Sequence, residues 1–287
     1  VSADGGSSDA AMGDAGQPLQ LETWQGVLEY MFGDSADHTI AAARYFLFTG
    51  LERIELFFDT PPWHGFLGKQ VVVEGTATSM EAGAVSAIRV CSISLAVGEM
   101  AALSAPVTGT RRVVLLLVMF SGDTQQPHTP AWYANLFNPQ TGNTVNSYYL
   151  ANSWGLFGWS ADVTPWMTGM DSKTTYAPCS SGICADQTHL FNDAVALGVA
   201  NGVNFAVYDN IAIVTNNDLD CCAWGGQKTY GGKTYGVVWE PPWSAQVGTF
   251  AHELGHSIGL RHSGWVYHHY DSPWDVMSQG DQIYNPK

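Results

Sequence analysis

Residues 252–262 read H-E-L-G-H-S-I-G-L-R-H, and no other stretch of the chain leaves the backbone so little choice. Two histidines four positions apart on a helix lie on one face, one turn apart. From there His252 and His256 can grip a single Zn²⁺. Glu253, between them, is placed to act on a metal-bound water rather than on the metal. Gly259 can take the left-handed backbone that stops a helix, so the chain doubles back and delivers His262 as a third ligand. Three protein nitrogens leave the fourth position of a tetrahedral zinc open to water, the arrangement of a catalytic site. Thr249-Phe250-Ala251, Leu254, Ile258 and Leu260 suit a buried helix. These residues point to a zinc hydrolase.

The chemistry follows from the residue types. Zn²⁺ lowers the pKa of a bound water toward ~7 and stabilises an oxyanion as a Lewis acid. Glu253 takes the water proton and passes it to the leaving group. The rival reading is a binding or adhesin protein in which zinc serves folding alone.

The five fixed positions of this motif resemble those of the metzincins, zinc endopeptidases whose site is floored by a methionine on a tight turn. Residues 272–278, S-P-W-D-V-M-S, look like that turn, with Met277 as the floor residue. Astacin-like and serralysin-like members carry a tyrosine two positions after this methionine. Gln279 stands there, so no tyrosine ligand is expected, although Tyr284 lies a little further on. The phrases K-Q-V-V-V-E-G-T at 69–76 and T-V-N-S-Y-Y-L-A-N-S-W-G at 144–155 resemble gametolysin-like secreted metalloproteases. The resemblance implies an endopeptidase with one zinc and a protein or peptide substrate. It also implies that the strand before the zinc helix rims the cleft and pairs with an extended substrate. Residues 233–239 alternate like such an edge strand, placing Tyr235, Gly236, Val237 and Val238 along the substrate.

Several metzincins are kept latent by a propeptide group, often a cysteine, on the metal's fourth position. Cys91 is the candidate here, in zymogen form, because thiolate is a strong zinc ligand. Against it, residues 89–93 read as a strand rather than an accessible extended segment.

Two domains fit 287 residues. Apolar, β-branched runs at 26–32, 39–48, 53–58, 70–78 and 84–93 are separated by Gly, Pro and Asp, and suggest a small OB-like barrel. The expected class is α+β. A β-barrel-like domain over 18–105, propeptide or accessory module, precedes a metzincin-type α/β domain over 106–287 with a twisted mixed sheet and the zinc helix. Within the latter, 111–120 and 208–214 read as buried strands and 189–202 as a helix. Residues 1–17, rich in Gly, Ser, Ala and Asp, read as a flexible linker. Such linkers follow a secretion signal or a lipid-anchored cysteine, so a secreted or cell-surface location is expected.

The formal charge of −15 disfavours nucleic acid and anionic membranes as partners. No run of about twenty apolar residues offers a transmembrane span. A monomer is expected. Cys179, Cys184, Cys221 and Cys222 lack zinc-site spacing and read as disulfides. Cross-pairing between the two couples is favoured, since bonding adjacent cysteines closes a strained ring, with a simple Cys179–Cys184 loop as the alternative. Asp218 and Asp220 could offer oxygens to Ca²⁺, but a turn of solvated acids is the better reading. His268 and His269 read as surface or cleft-wall residues.

Overall fold

The computed structural model describes residues 21–81, 83–98, 106–179, 182–264 and 270–280. The expected linker, His268, His269 and Tyr284 lie outside them. Strands β1 (Glu22–Ser35), β2 (Ala41–Phe48), β3 (Arg53–Phe57), β4 (Gln70–Glu81) and β5 (Ala84–Leu95) come first. Then follow β6 (Gly109–Met119), α1 (Pro130–Phe137), α2 (Val145–Asn152), β7 (Phe157–Val163), β8 (Met167–Thr168), α3 (Lys173–Tyr176) and α4 (Gln187–Ala200). The chain continues through β9 (Asn210–Thr215), β10 (Cys222–Tyr230), β11 (Lys233–Glu240) and α5 (Val247–Ser257). The class is mixed α+β, as expected.

The first five strands close a barrel in the order β1-β2-β3-β5-β4, with β4 returning to β1. Its core is built by inward-facing residues at alternate positions, among them Leu28, Tyr30 and Phe32 on β1 and Val71 and Val73 on β4. The expected barrel is therefore present.

Strand β1 is too long to serve the barrel alone. Glu22–Val27 pair with β4, whereas Tyr30–Ser35 leave β4 and pair antiparallel with Gln227–Cys222 of β10. The barrel thus runs into a second sheet ordered β10-β11-β9-β6-β7. Strands β11, β9, β6 and β7 run parallel to one another, and β10 is antiparallel to β11.

Parallel strands covered on both faces carry near-continuous apolar runs, and β6 shows why. Val114, Leu116 and Val118 face one core with Leu190, Phe191 and Ala194 of α4. Val113, Leu115 and Leu117 face the other, with Tyr133, Val145, Phe250 and Leu254 of α1, α2 and α5. Every residue of α5 is buried.

Two expectations are corrected. Tyr235, Gly236, Val237 and Val238 do not form an edge: β11 lies between β9 and β10, and Val237 and Val238 are fully buried. β10 in turn lies between β11 and β1. The cysteines pair within each couple, Cys179 with Cys184 and Cys221 with Cys222, not across. The two segments are nonetheless tied non-covalently. The Asp220 carboxylate accepts from the backbone N–H groups of Ala185 at 3.1 Å and of Cys222 at 3.1 Å.

Candidate metal centre

Helix α5 ends as its sequence requires. Gly259 has φ +99°. Its N–H donates to the His256 carbonyl at 2.9 Å, and the Leu260 N–H reaches the Gly255 carbonyl at 2.9 Å. This paired bonding is the Schellman stop, which needs a left-handed residue just past the helix. The chain then returns with His262 beside the other two rings.

The three Nε2 atoms converge: His256 lies 3.0 Å from His252 and 3.1 Å from His262. A fourth group joins them. The carboxylate of Asp34, near the end of β1, lies 3.0 Å from His252 Nε2, 2.8 Å from His262 Nε2 and 3.5 Å from His256 Nε2. All four side chains are buried.

Backbone carbonyls set the tautomers. His252 Nδ1 lies 2.5 Å from the Val276 carbonyl, and His256 Nδ1 lies 2.8 Å from that of Leu260. A carbonyl can only accept, so both Nδ1 atoms carry hydrogen and the Nε2 lone pairs of the neutral rings point inward. Burial drives His256 to about 3, and the neighbouring rings add to the shift, so it stays neutral. Lone pairs and a carboxylate facing one another about 3 Å apart repel unless a cation stands among them. The donor set, three nitrogens and one oxygen, suits Zn²⁺. It is a buried Asp/His₃ group that could bind a metal.

Glycines let the helix lie this close. A Cβ on Gly225 of β10 would stand 2.1 Å from the Glu253 carbonyl oxygen, and one on Gly255 would stand 2.4 Å from Met277 Sδ. The Met277 sulfur therefore packs on α5 between the first two histidines. The Met277 carbonyl accepts from the Ser263 N–H at 2.9 Å, tying this turn to the loop that carries His262. Glu253 is fully buried on the same helix. Tyr149 of α2 donates to the Ala251 carbonyl at 2.6 Å, bracing α5 from behind.

Cys91 takes no part. It lies exposed on β5 with a free thiol, outside the metal-ligating group. Its strand runs in the barrel wall, and the reach to the histidines is made from β1 instead. Asp34 was not anticipated. The signal available was the alternating face Leu28, Tyr30, Phe32, in which the next inward position is an acid. His38 and Tyr270, whose rings stack 4.6 Å apart, also border the site: His38 lies 6.4 Å from the His252 ring and Tyr270 lies 5.0 Å from that of His262.

Residues 140–272, a little under half of the chain, match the family model described as metallo-peptidase family M12. The match supports a zinc-dependent metallopeptidase. It spans α2 through the third histidine and stops short of Met277. No curated protein matches the chain. No helix among the described residues is long and apolar enough to cross a membrane.

Proposed function

We propose that the chain is a metzincin-type zinc endopeptidase, with His252, His256 and His262 as metal ligands. The observation that carries this reading is the convergence of three Nε2 atoms, with the opposite nitrogens of His252 and His256 tied to backbone carbonyls. Zn²⁺ bound there would supply a Lewis acid and bring the pKa of a water toward ~7. Glu253 takes the proton of the attacking water and delivers it to the leaving amine as the peptide bond breaks. Its place beside His252 on α5 keeps it near the reacting groups. Met277 floors the site by packing its sulfur on Gly255. Export from the cell fits the paired cysteines.

A casein-hydrolysis assay tests the proposal: activity should vanish with a chelator and return with Zn²⁺. A fully zinc-loaded chain that hydrolyses no peptide in any form would sink it.

One observation favours a second reading. Four protein donors with no open position are the mark of a structural zinc site. In that case chelation would unfold the protein and Glu253→Gln would leave its function untouched.

A further inference from the structure

Ligating atoms converge a second time, on α4. His189 and Asp193 stand one turn apart on that helix, with His189 Nε2 3.1 Å from Asp193 Oδ2. Asp171, on the stretch between β8 and α3, brings a second carboxylate to the same place. One ligand atom from each of these three side chains lies within 4.8 Å of the other two. The His189 and Asp193 side chains are 40% and 38% exposed, so an ion and its waters can reach them.

The surroundings hold all three in place. The Ser121 N–H donates to the Asp171 carbonyl at 3.0 Å, fixing that residue just beyond β6. Asp186 caps α4, accepting the N–H of Thr188 at 3.1 Å and that of His189 at 2.9 Å. Between the two segments stands Tyr176, fully buried. Its hydroxyl donates to Asp193 Oδ2 at 2.8 Å and accepts from the Asp171 N–H at 3.0 Å. Its ring centre lies 5.0 Å from that of His189. One phenol thus meets all three residues, as the outer partner of a metal site does. Two carboxylates this close repel each other unless a cation joins them. Among the described residues the ion-pair partner of Asp193 is the His189 imidazole alone, which carries charge only when protonated.

We propose that Asp171, His189 and Asp193 form a second divalent-metal site, separate from the histidine centre, that clips residues 171–186 to α4. One nitrogen and two carboxylate oxygens suit a borderline ion such as Zn²⁺, with water completing its shell. With one nitrogen where the first centre has three, and with solvent at hand, this site is the weaker of the two. Its role is mechanical. The clipped segment carries the Cys179–Cys184 loop and leads to Ala185, whose carbonyl accepts from Arg44 of β2 at 2.8 Å. Metal here braces the ledge on which the barrel rests. A plain surface ion pair between His189 and Asp193 would leave the approach of Asp171 unexplained. The inference stands whether or not the first centre hydrolyses peptides.

Equilibrium dialysis of the full chain against Zn²⁺ tests the site, as wild type, His189→Ala, Asp193→Asn and His256→Ala. Wild type should bind two equivalents, and His189→Ala and Asp193→Asn only the tighter one. His256→Ala, which breaks the first centre, should still bind the weaker one. Should that variant not fold, wild type already carrying one equivalent gives the same reading. Tyr176→Phe, which removes the outer partner, should weaken the second equivalent by roughly 10–100-fold and leave the first unchanged. Zinc beyond the first equivalent should also raise the urea midpoint of wild type but not of His189→Ala, because an ion that binds only the folded chain stabilises it. A single equivalent in wild type would overturn the site. So would a second equivalent that persists in His189→Ala and Asp193→Asn, since other surface groups would then hold it. A second equivalent lost in both variants that leaves the wild-type midpoint unmoved would overturn the clip.

Discussion

Tyr30 and His256, 226 residues apart, are joined by a buried hydrogen bond of 3.1 Å from the phenol hydroxyl to the backbone carbonyl. The bond couples the barrel to the helix that carries two of the histidines. The carbonyl also accepts from the Gly259 N–H, so removing the hydroxyl does not orphan it. Tyr30→Phe should therefore cost about 1 kcal/mol, the usual worth of one net hydrogen bond. Urea unfolding should show a lower midpoint with an unchanged slope. An unchanged midpoint would show that the bond adds nothing.

Glu253 and His256 should separate in their effects. Glu253→Ala is expected to keep stoichiometric zinc and lose turnover, because it removes the proton carrier and no ligand. His256→Ala should lose the metal itself. Metal analysis of the purified variants alongside a casein assay decides. Full activity in Glu253→Ala would end its assignment as the base.

Gly255 and Met277 make a tight pair beneath the histidines. A methyl added at Gly255 would stand 2.4 Å from the sulfur and push the Met277 turn away from α5. The Val276 carbonyl, which orients His252, moves with that turn. Loss of such an orienting partner commonly costs 10–100-fold in metal affinity, so Gly255→Ala should weaken zinc retention by roughly that range. Competition against a chromogenic chelator measures it, and wild-type affinity in the variant would refute the coupling.

Lys228 gives the protein a pH dependence of its own. It is fully buried on β10 with its ammonium 4.4 Å from the Phe46 ring centre, and burial pushes it down to about 7 against the pull of Glu29. Arg53 and Arg44 reinforce the depression, and Asp186 opposes it. An unfolded chain keeps this lysine protonated up to ~10.4. Between about 7 and that value the unfolded state holds the extra proton, so stability rises with pH, by at most about 1.4 kcal/mol per pH unit. Below about 7 the cost of the buried charge is fully present. Lys228→Met should flatten the rise in urea midpoints between pH 7 and 9 and stabilise the protein at neutral pH. A variant with the same slope as wild type would show that another group is responsible.

The local parts of this protein were readable from residues alone. Helix α5, its stop at Gly259 and the return of His262 depend on spacing within eleven positions and on the one residue type that tolerates positive φ. The barrel strands announced themselves through apolar alternation between turn residues. Strand β10 did not. Gly225 and Gly226 are needed for close approach to α5 and β1, and a strand whose glycines leave room for neighbours carries no apolar signature. With no such signature ahead of it, β11 looks in sequence like an edge strand.

Asp34 marks the other boundary. Nothing near residue 34 distinguishes it from an acid at the end of any strand, and Cys91 has the more obvious metal chemistry. Only the path of β1, which leaves β4 after Val27 and joins β10 from Tyr30 onward, brings the carboxylate to the histidines. The sequence by itself determined the three nitrogens and the glutamate, because helix geometry is set by neighbours along the chain. The tertiary structure decided what faces them, because strand pairing joins residues that are distant in sequence.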